Sequence, residues 1–427
     1  MKRLLFICHR VPYPPDKGER IRAFHEIRIL SSHFRITLAA LAHNPEDSQA
    51  AQGLEPWCES VFLARVGGLL GLGRGLWALL RGKSATEGYF RSRAMLKALP
   101  ALAGEGPFDL ALGYCSSTLP YLLASPARAR VMDLVDVDSA KWAAYAQESG
   151  WPKAWLYRRE AAAVSALEQA AVNRCDAVLA VSPAEVALLG EVAGRVLPVG
   201  IGVDTEYYKP PDPPIQPQTP CLVFTGQMDY RPNVEGVTWF VREVWPRLRC
   251  RQPDLEFKIV GRNPAPEVRR LARETGVTVT GSVPDVRPYL AEAAAAVCPL
   301  RIARGIQNKI LEAMAMARPV VASPAALAGL DLQVGREVLL ADGPEQWETQ
   351  IAALLADQAT ADALGRSAQQ CVVERYGWQA RLAPLVTLCR RLAEEHPLPG
   401  NSMAARGQMP AQARTSSSPR DVEAPVR

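Results

Sequence analysis

The sequence predicts an α/β protein built as two doubly wound domains facing a cleft. Three observations carry this. Short apolar runs alternate with helical stretches through most of the chain, a proline-rich interruption falls near the middle, and the same alternation restarts beyond it. Buried apolar runs separated by helices are the mark of a parallel sheet covered on both faces. A length of 427 residues also exceeds what one ordinary core organises and suits two domains.

In the first half, Leu4–Cys8 reads as a strand, Glu19–Ser31 as a helix and Arg35–Ala42 as a strand. Leu110–Tyr114, Val131–Leu134, Ala177–Val181 and Val196–Val199 are further short apolar runs, and Trp155–Asn173 is Ala-rich with charges at helical spacing. Residues 1–208 form the expected first domain. Residues 209–220 carry six prolines in twelve positions, which neither a helix nor a central strand tolerates, so they read as a stiff linker. The second domain is expected over 221–376. Its strands are Cys221–Thr225, Phe257–Val260, Val277–Thr280, Ala295–Pro299 and Pro319–Ala322, with helices at Val237–Leu248 and Gln307–Ala317. Gln346–Leu355 and Ala361–Tyr376 read as helices, Trp378–Glu395 as a terminal amphipathic helix, and 396–427 as a disordered tail poor in large apolar residues.

Bulk properties exclude several classes. A net charge of +5 fits an anionic ligand or surface but lacks the dense basic stripe of a nucleic-acid binder. Nine scattered cysteines without a Cys-x-x-Cys pair argue against a disulfide framework or zinc site and for a reducing, cytoplasmic setting. The first apolar run is too short for a secretory signal. No segment offers the roughly 18 uninterrupted apolar residues of a membrane span. The run 71–75, Gly-Leu-Gly-Arg-Gly, fails as a dinucleotide fingerprint because Leu76 stands where the last glycine belongs. Residues 60–86 combine Arg65, Arg74, Arg81 and Lys83 with leucines and Trp77, and contain no acidic residue. The stretch 66–83 therefore reads either as a peripheral membrane contact or as an ordinary helix packed on the first domain.

The richest chemistry lies at 298–322. A strand ends, a loop with Arg301, Arg304 and Gly305 follows, and a helix opens near Gln307. The unpaired amides and positive dipole end of such a helix bind anions. Lys309 adds a charge in the first turn, and Glu312, three residues on, suits ribose hydroxyls. The plain alternative is a solvated Lys309–Glu312 helix pair. In the first domain, Gly18 sits between strand and helix, where it would let backbone approach a phosphate or sugar, or where it is simply a turn. Asp136 and Asp138 form an Asp-x-Asp pattern. Three uses stay open: orienting or deprotonating an acceptor hydroxyl, a helix cap at Asp138, or a metal, the least favoured. His9, at the end of the first strand, is read as structural or as reaching the cleft.

These motifs resemble glycosyltransferase family 4. The resemblance runs through Lys309-Ile-Leu-Glu312 to Ala322, through Pro198-Val-Gly-Ile-Gly-Val-Asp204 with Tyr208 and Pro210, and through Phe224-Thr-Gly-Gln-Met-Asp-Tyr-Arg-Pro-Asn233. Pro12–Arg22 and Asp133–Trp142 look similar to the sugar transferases associated with exosortase/PEP-CTERM systems. The resemblance implies a GT-B fold and a hexosyltransferase of exopolysaccharide biosynthesis, with a nucleotide-diphosphate sugar as donor and a glycan or lipid-linked acceptor. It further implies retention of configuration, no metal and no other cofactor. By position, Glu312 would bind ribose, Lys309 and Arg231 the diphosphate, and the loop 281–285, with Val283, would flank the base. One departure stands out. The family pattern Glu-x7-Glu places a first glutamate where this chain has Arg304, which would supply phosphate charge instead. That loss keeps a non-catalytic nucleotide-sugar-binding subunit open as an alternative, alongside a nucleotide-sugar epimerase.

Overall fold

The computed structural model describes residues 1–395 apart from 17, 105, 191–193, 214, 216–218, 304 and 305. Seven strands, β1 (Lys2–Cys8), β2 (Phe34–Ala42), β3 (Ser60–Arg65), β4 (Phe108–Tyr114), β5 (Ala127–Val135), β6 (Ala177–Ala180) and β7 (Val196–Pro198), form the first sheet in the order β3-β2-β1-β4-β5-β6-β7. Six more, β8 (Cys221–Thr225), β9 (Glu256–Val260), β10 (Val277–Gly281), β11 (Ala295–Cys298), β12 (Val320–Ala322) and β13 (Leu339–Leu340), form the second in the order β10-β9-β8-β11-β12-β13. Every pairing within these sheets is parallel. The chain direction across each sheet reverses between β1 and β4, and again between β8 and β11. A crevice opens at such switch points beyond the carboxyl ends of the strands.

The expected strands appear nearly as read, because most are largely buried apolar runs, such as Cys221–Thr225, buried at every position. β3 and β13 were not anticipated. β3 is an edge strand with only Ala64 buried, and β13 is two residues long, so neither gives a strong apolar signal. The helix read over Val237–Leu248 begins earlier, at Arg231, with Pro232 in its first turn where the missing N–H costs nothing. It then widens into a π turn at Phe240–Val244 before continuing to Arg251. The proposed disordered tail lies outside the described residues, as does part of the linker.

The terminal helix Trp378–Glu395 follows the second sheet in sequence but packs into the core of the first. Trp378, Leu382, Leu385 and Leu388 join a cluster with Leu4, Phe6, Ile27 and Val199. The connecting segment passes beneath it. Val199 belongs to the first core and Val203 to the second. Val203 donates to the Tyr376 carbonyl at 2.8 Å and Trp378 donates back to Val203 at 3.3 Å. Gly202 is required here, since a β-carbon would sit 2.9 Å from the Trp378 α-carbon. His25 stacks on Trp378 at 4.8 Å, and burial depresses its pKa to about 4.

A buried charge cluster fastens this junction. Arg22, on the helix Gly18–Leu30, donates to Asp133 at the end of β5 (2.8 Å) and to the carbonyls of Val199 (2.7 Å) and Gly200 (3.2 Å). Glu26, one turn on, pairs with Arg22 at 2.9 Å. Burial and the Asp133 carboxylate push its pKa well up. Removing one member of a buried ion pair strands the remainder, at a typical cost of about 3–5 kcal/mol. Arg22→Met is expected to lose stability of about that size, measured by urea unfolding followed by near-UV circular dichroism.

Candidate donor and acceptor sites

The carboxyl ends of β8, β9 and β10 are stitched together by backbone hydrogen bonds. Gly226 donates to Val260 (3.0 Å), Met228 to Arg262 (2.8 Å) and Gly261 to Gly281 (3.2 Å). Gly226 and Gly261 meet so closely that a β-carbon on Gly261 would lie 1.6 Å from the Gly226 carbonyl oxygen. No residue other than glycine fits there.

A cavity of about 590 Å³ opens above these loops, at the β8/β11 switch point. One wall is the loop and first turn of the helix Asn308–Ala315, which contribute Ile306, Gln307, Asn308 and Lys309. The opening amides of a helix have no partner within it, so this wall favours an anion. Lys309 reaches inward. Its Nζ donates to Asn233 Oδ1 at 2.5 Å and lies 4.3 Å above the Phe224 ring. Asn233 in turn donates to the Gln227 carbonyl at 2.8 Å. Burial lowers the Lys309 pKa, with Cys298 and Glu312 opposing.

Glu312 also lines the cavity, but it does not pair with Lys309 as a surface helix couple would. It is hydrogen-bonded to the Tyr208 hydroxyl, and burial raises its pKa. Tyr208 comes from the segment that crosses between the domains. Ser282 and Val283 close the far side. Asp285 of the same loop turns away to Arg287, at 2.7 Å, which holds its carboxyl below the usual carboxylate range.

Three expectations need correction or fall away. Arg231, assigned to the diphosphate, does not line the cavity. It is the first helical residue beyond Tyr230, 85% exposed, and is engaged by Glu235 one turn on at 2.7 Å. Arg262, directly after the β9 strand and Gly261, lines the cavity in its place. Its position at a strand's carboxyl end was the available sequence signal. Gly18 does not line this cavity either, and a β-carbon there would meet nothing within 4 Å, so close approach does not require the glycine. Its neighbour Asp16 is the first-domain residue on the rim. Arg304 and Gly305 lie outside the described residues.

A second cavity, about 450 Å³, lies between the domains and is lined by Gly18, His9, Cys115, Asp136, Asp138 and Lys141 from the first and Asn308 from the second. Asp138 is the first residue of the helix Asp138–Glu148 and Val137 holds the N-cap position, so the capping reading does not hold. Glu168 takes that role by accepting from the Ser139 amide at 3.1 Å. The Asp138 carboxylate therefore faces the cavity, 3.9 Å from Lys141. Burial raises its pKa, reinforced by Asp136 and Glu185. His9 is buried, stacked 6.0 Å from Tyr114, and held neutral with a pKa of about 3 by burial, Arg10 and His43. Among the described residues, no group of three His, Cys, Asp or Glu is arranged to hold a metal ion.

Comparison with known proteins gives this arrangement its class. Residues 219–357 match the family described as glycosyl transferases group 1. Sucrose-phosphate synthase from Thermosynechococcus elongatus superposes with a TM-score of 0.63 at 17% identity, covering 92% of this chain and 100% of that one. Anabaena HepE, solved with UDP, gives 0.56 at 15%, covering 92% and 99%. HepE with UDP-glucose gives 0.57 at 16%, covering 92% and 98%. A search of curated protein sequences returned no match. Two facing parallel-sheet domains, the second carrying a group 1 glycosyl transferase domain, make this chain a glycosyltransferase of GT-B fold.

Calorimetry with UDP, GDP and ADP is expected to show one nucleoside diphosphate binding the wild type, and Lys309→Ala is expected to weaken that binding at least about tenfold, roughly 1.4 kcal/mol. Burial holds the Lys309 pKa below the ordinary 10.5, so its charge is present on the acid side of that lowered value and is lost as pH rises through it, earlier than for a free lysine. Wild-type affinity should therefore fall on the alkaline side, and that fall should be absent in the alanine variant.

Proposed function

We propose that the chain transfers a hexosyl group from a nucleoside-diphosphate sugar to a glycan or lipid-linked acceptor in exopolysaccharide assembly, with retained configuration and without a metal. The observation that carries the donor half is the composition of the larger cavity. Lys309, Arg262 and a helix N-terminus supply charge for a diphosphate, the Tyr208–Glu312 pair suits ribose hydroxyls, and Ser282 and Val283 offer a slot for a base. The UDP complexes of the HepE fold neighbour support a uridine nucleotide. Family 4 membership, the exosortase/PEP-CTERM association and the polysaccharide setting rest on the sequence motifs.

In the reaction, the bond from the anomeric carbon to the diphosphate oxygen breaks and the acceptor oxygen bonds that carbon from the face the diphosphate leaves, which retains the configuration. The diphosphate leaves with the electron pair, its charge met by Lys309, Arg262 and the helix amides. The acceptor enters through the second cavity, where Asp136 and Asp138 orient its hydroxyl and receive the proton. Asn308 lines this cavity and also the first, so donor and acceptor meet there. Closure of the domains excludes water that would hydrolyse the donor. Among the described residues no helix is long and apolar enough to cross a membrane, and we place the enzyme on the cytoplasmic side, where nucleotide sugars are made.

Arg304 in place of the first family glutamate favours one competing reading, a nucleotide-sugar-binding subunit without turnover. Assay of nucleoside-diphosphate release from UDP-, GDP- and ADP-sugars with and without glycan acceptors separates them. Acceptor-dependent release, unaffected by EDTA, is expected; binding without release under any acceptor supports the subunit, and isomerised donor without acceptor supports an epimerase. Asp138→Asn should lower kcat about 100-fold or more. The raised Asp138 pKa puts the acid limb of the wild-type kcat profile above the ordinary 3.8, with activity falling as pH drops through it. That limb should vanish in the variant.

A further inference from the structure

The helix Gly68–Leu80 is amphipathic in the wrong direction for a protein that meets only water. Its inward residues are small: Gly71, Gly75 and Ala78 are buried. They let it lie directly on the next helix, Ala85–Phe90, where a β-carbon on Gly88 would sit 2.5 Å from that of Ala78 and one on Gly75 would sit 3.1 Å from the Ala85 carbonyl. Its large apolar residues point outward instead. Leu69 is 87% exposed, Leu70 80% and Leu80 75%, with Leu72, Leu76 and Trp77 also exposed. Contiguous apolar surface on this scale marks an interaction face.

The face is not only apolar. A groove of about 930 Å³ runs beside it between the leucines and a set of cations, Arg65, Arg74, Arg81, Lys83, Arg91 and Arg93. Glu87 is the acidic residue on that lining, and it is engaged by Arg91 at 3.6 Å. Arg81 lies 3.7 Å over the Trp77 ring, a cation held on an aromatic face. The surface continues onto the adjoining helix Lys153–Arg174. Arg159 donates to the Leu79 carbonyl at 2.6 Å and covers Trp155. Trp155 is exposed, and nearby Trp151 is 85% exposed.

We infer that this face seats the protein on an anionic lipid bilayer, with the leucines and tryptophans entering the interface and the arginines and lysine meeting lipid phosphates. Apolar residues on one stripe, flanking cations and interfacial tryptophans are the combination such a surface selects. A second copy of the chain is the poorer partner, because a twofold contact lays the same patch on itself and brings cation against cation. The location makes the contact useful. Gly68–Leu80 follows the carboxyl end of β3, at the same end of the strands as the acceptor-side cavity over β1, β4 and β5. Phe90, ending the supporting helix, packs against His9 of that cavity at 5.4 Å. Docking thus brings a lipid-borne hydroxyl or phosphate beside Asp136 and Asp138. The docking itself does not depend on the donor-site reading.

The test is co-sedimentation with vesicles of phosphatidylcholine alone or containing about one quarter phosphatidylglycerol. It uses the full chain, Leu69→Glu/Leu70→Glu and Arg81→Glu/Lys83→Glu, all exposed positions, with near-UV circular dichroism confirming that each variant folds. Wild type should partition onto the anionic vesicles roughly tenfold or more above the neutral ones, and each double variant should lose most of that binding. UDP affinity should be unchanged in both, so failure here and failure of the donor site are told apart. Absence of wild-type binding, equal binding to both vesicles, or variants that bind like wild type overturns the inference. So does light scattering that shows a wild-type dimer broken by Leu69→Glu/Leu70→Glu.

Discussion

The donor cavity depends on the contact between two backbones, at Gly226 and Gly261. Parallel strands deliver their loops to one edge of the sheet, but a cavity forms there only if neighbouring loops fold back rather than over it. With no side chain at either position, the loops after β8 and β9 close on each other, and the third is drawn in through the Gly261–Gly281 hydrogen bond. That leaves Asn233 free to catch Lys309 and hold it over Phe224. The lysine is then desolvated and held by a neutral amide, and among the described residues no carboxylate pairs with it directly. A desolvated lysine in that position favours an anion such as a diphosphate, since an anion restores what burial removed.

The same economy of small residues recurs where the domains join. Gly202 lets the crossing segment slide beneath Trp378, and the terminal helix returns to the first core. Arg22, Glu26 and Asp133 lock the segment from below through the carbonyls of Val199 and Gly200. Tyr208, a few residues further along that segment, reaches Glu312. On the proposed reading, a donor ribose at Glu312 and the position of the first domain are linked through ten residues of chain, a physical route for domain closure to follow binding.

Much of this was legible in the sequence because burial writes itself plainly. Fully buried strands such as Cys221–Thr225 are uninterrupted apolar runs, and the helix carrying Lys309 and Glu312 was placed within two residues. What failed was direction. Arg231 and Arg262 are both arginines just past a strand of the second sheet, and composition alone does not say that the first points outward to Glu235 while the second lines the cavity. Asp138 reads as a cap because helices commonly begin after aspartate, yet Glu168, far off in sequence, supplies the contact. The inverted face of Gly68–Leu80 was hidden for a related reason. Its periodicity shows which residues share a side, and the three buried small residues decide which side is in.

The most direct measurement is a crystal structure of the protein soaked with UDP. The diphosphate should lie at the first turn of Asn308–Ala315 within hydrogen-bond reach of Lys309, with the ribose at Glu312 and the base against Ser282 and Val283. Nucleotide bound elsewhere, or bound in this cavity with Lys309 still held by Asn233 and out of contact with phosphate, would contradict the assignment of the donor site.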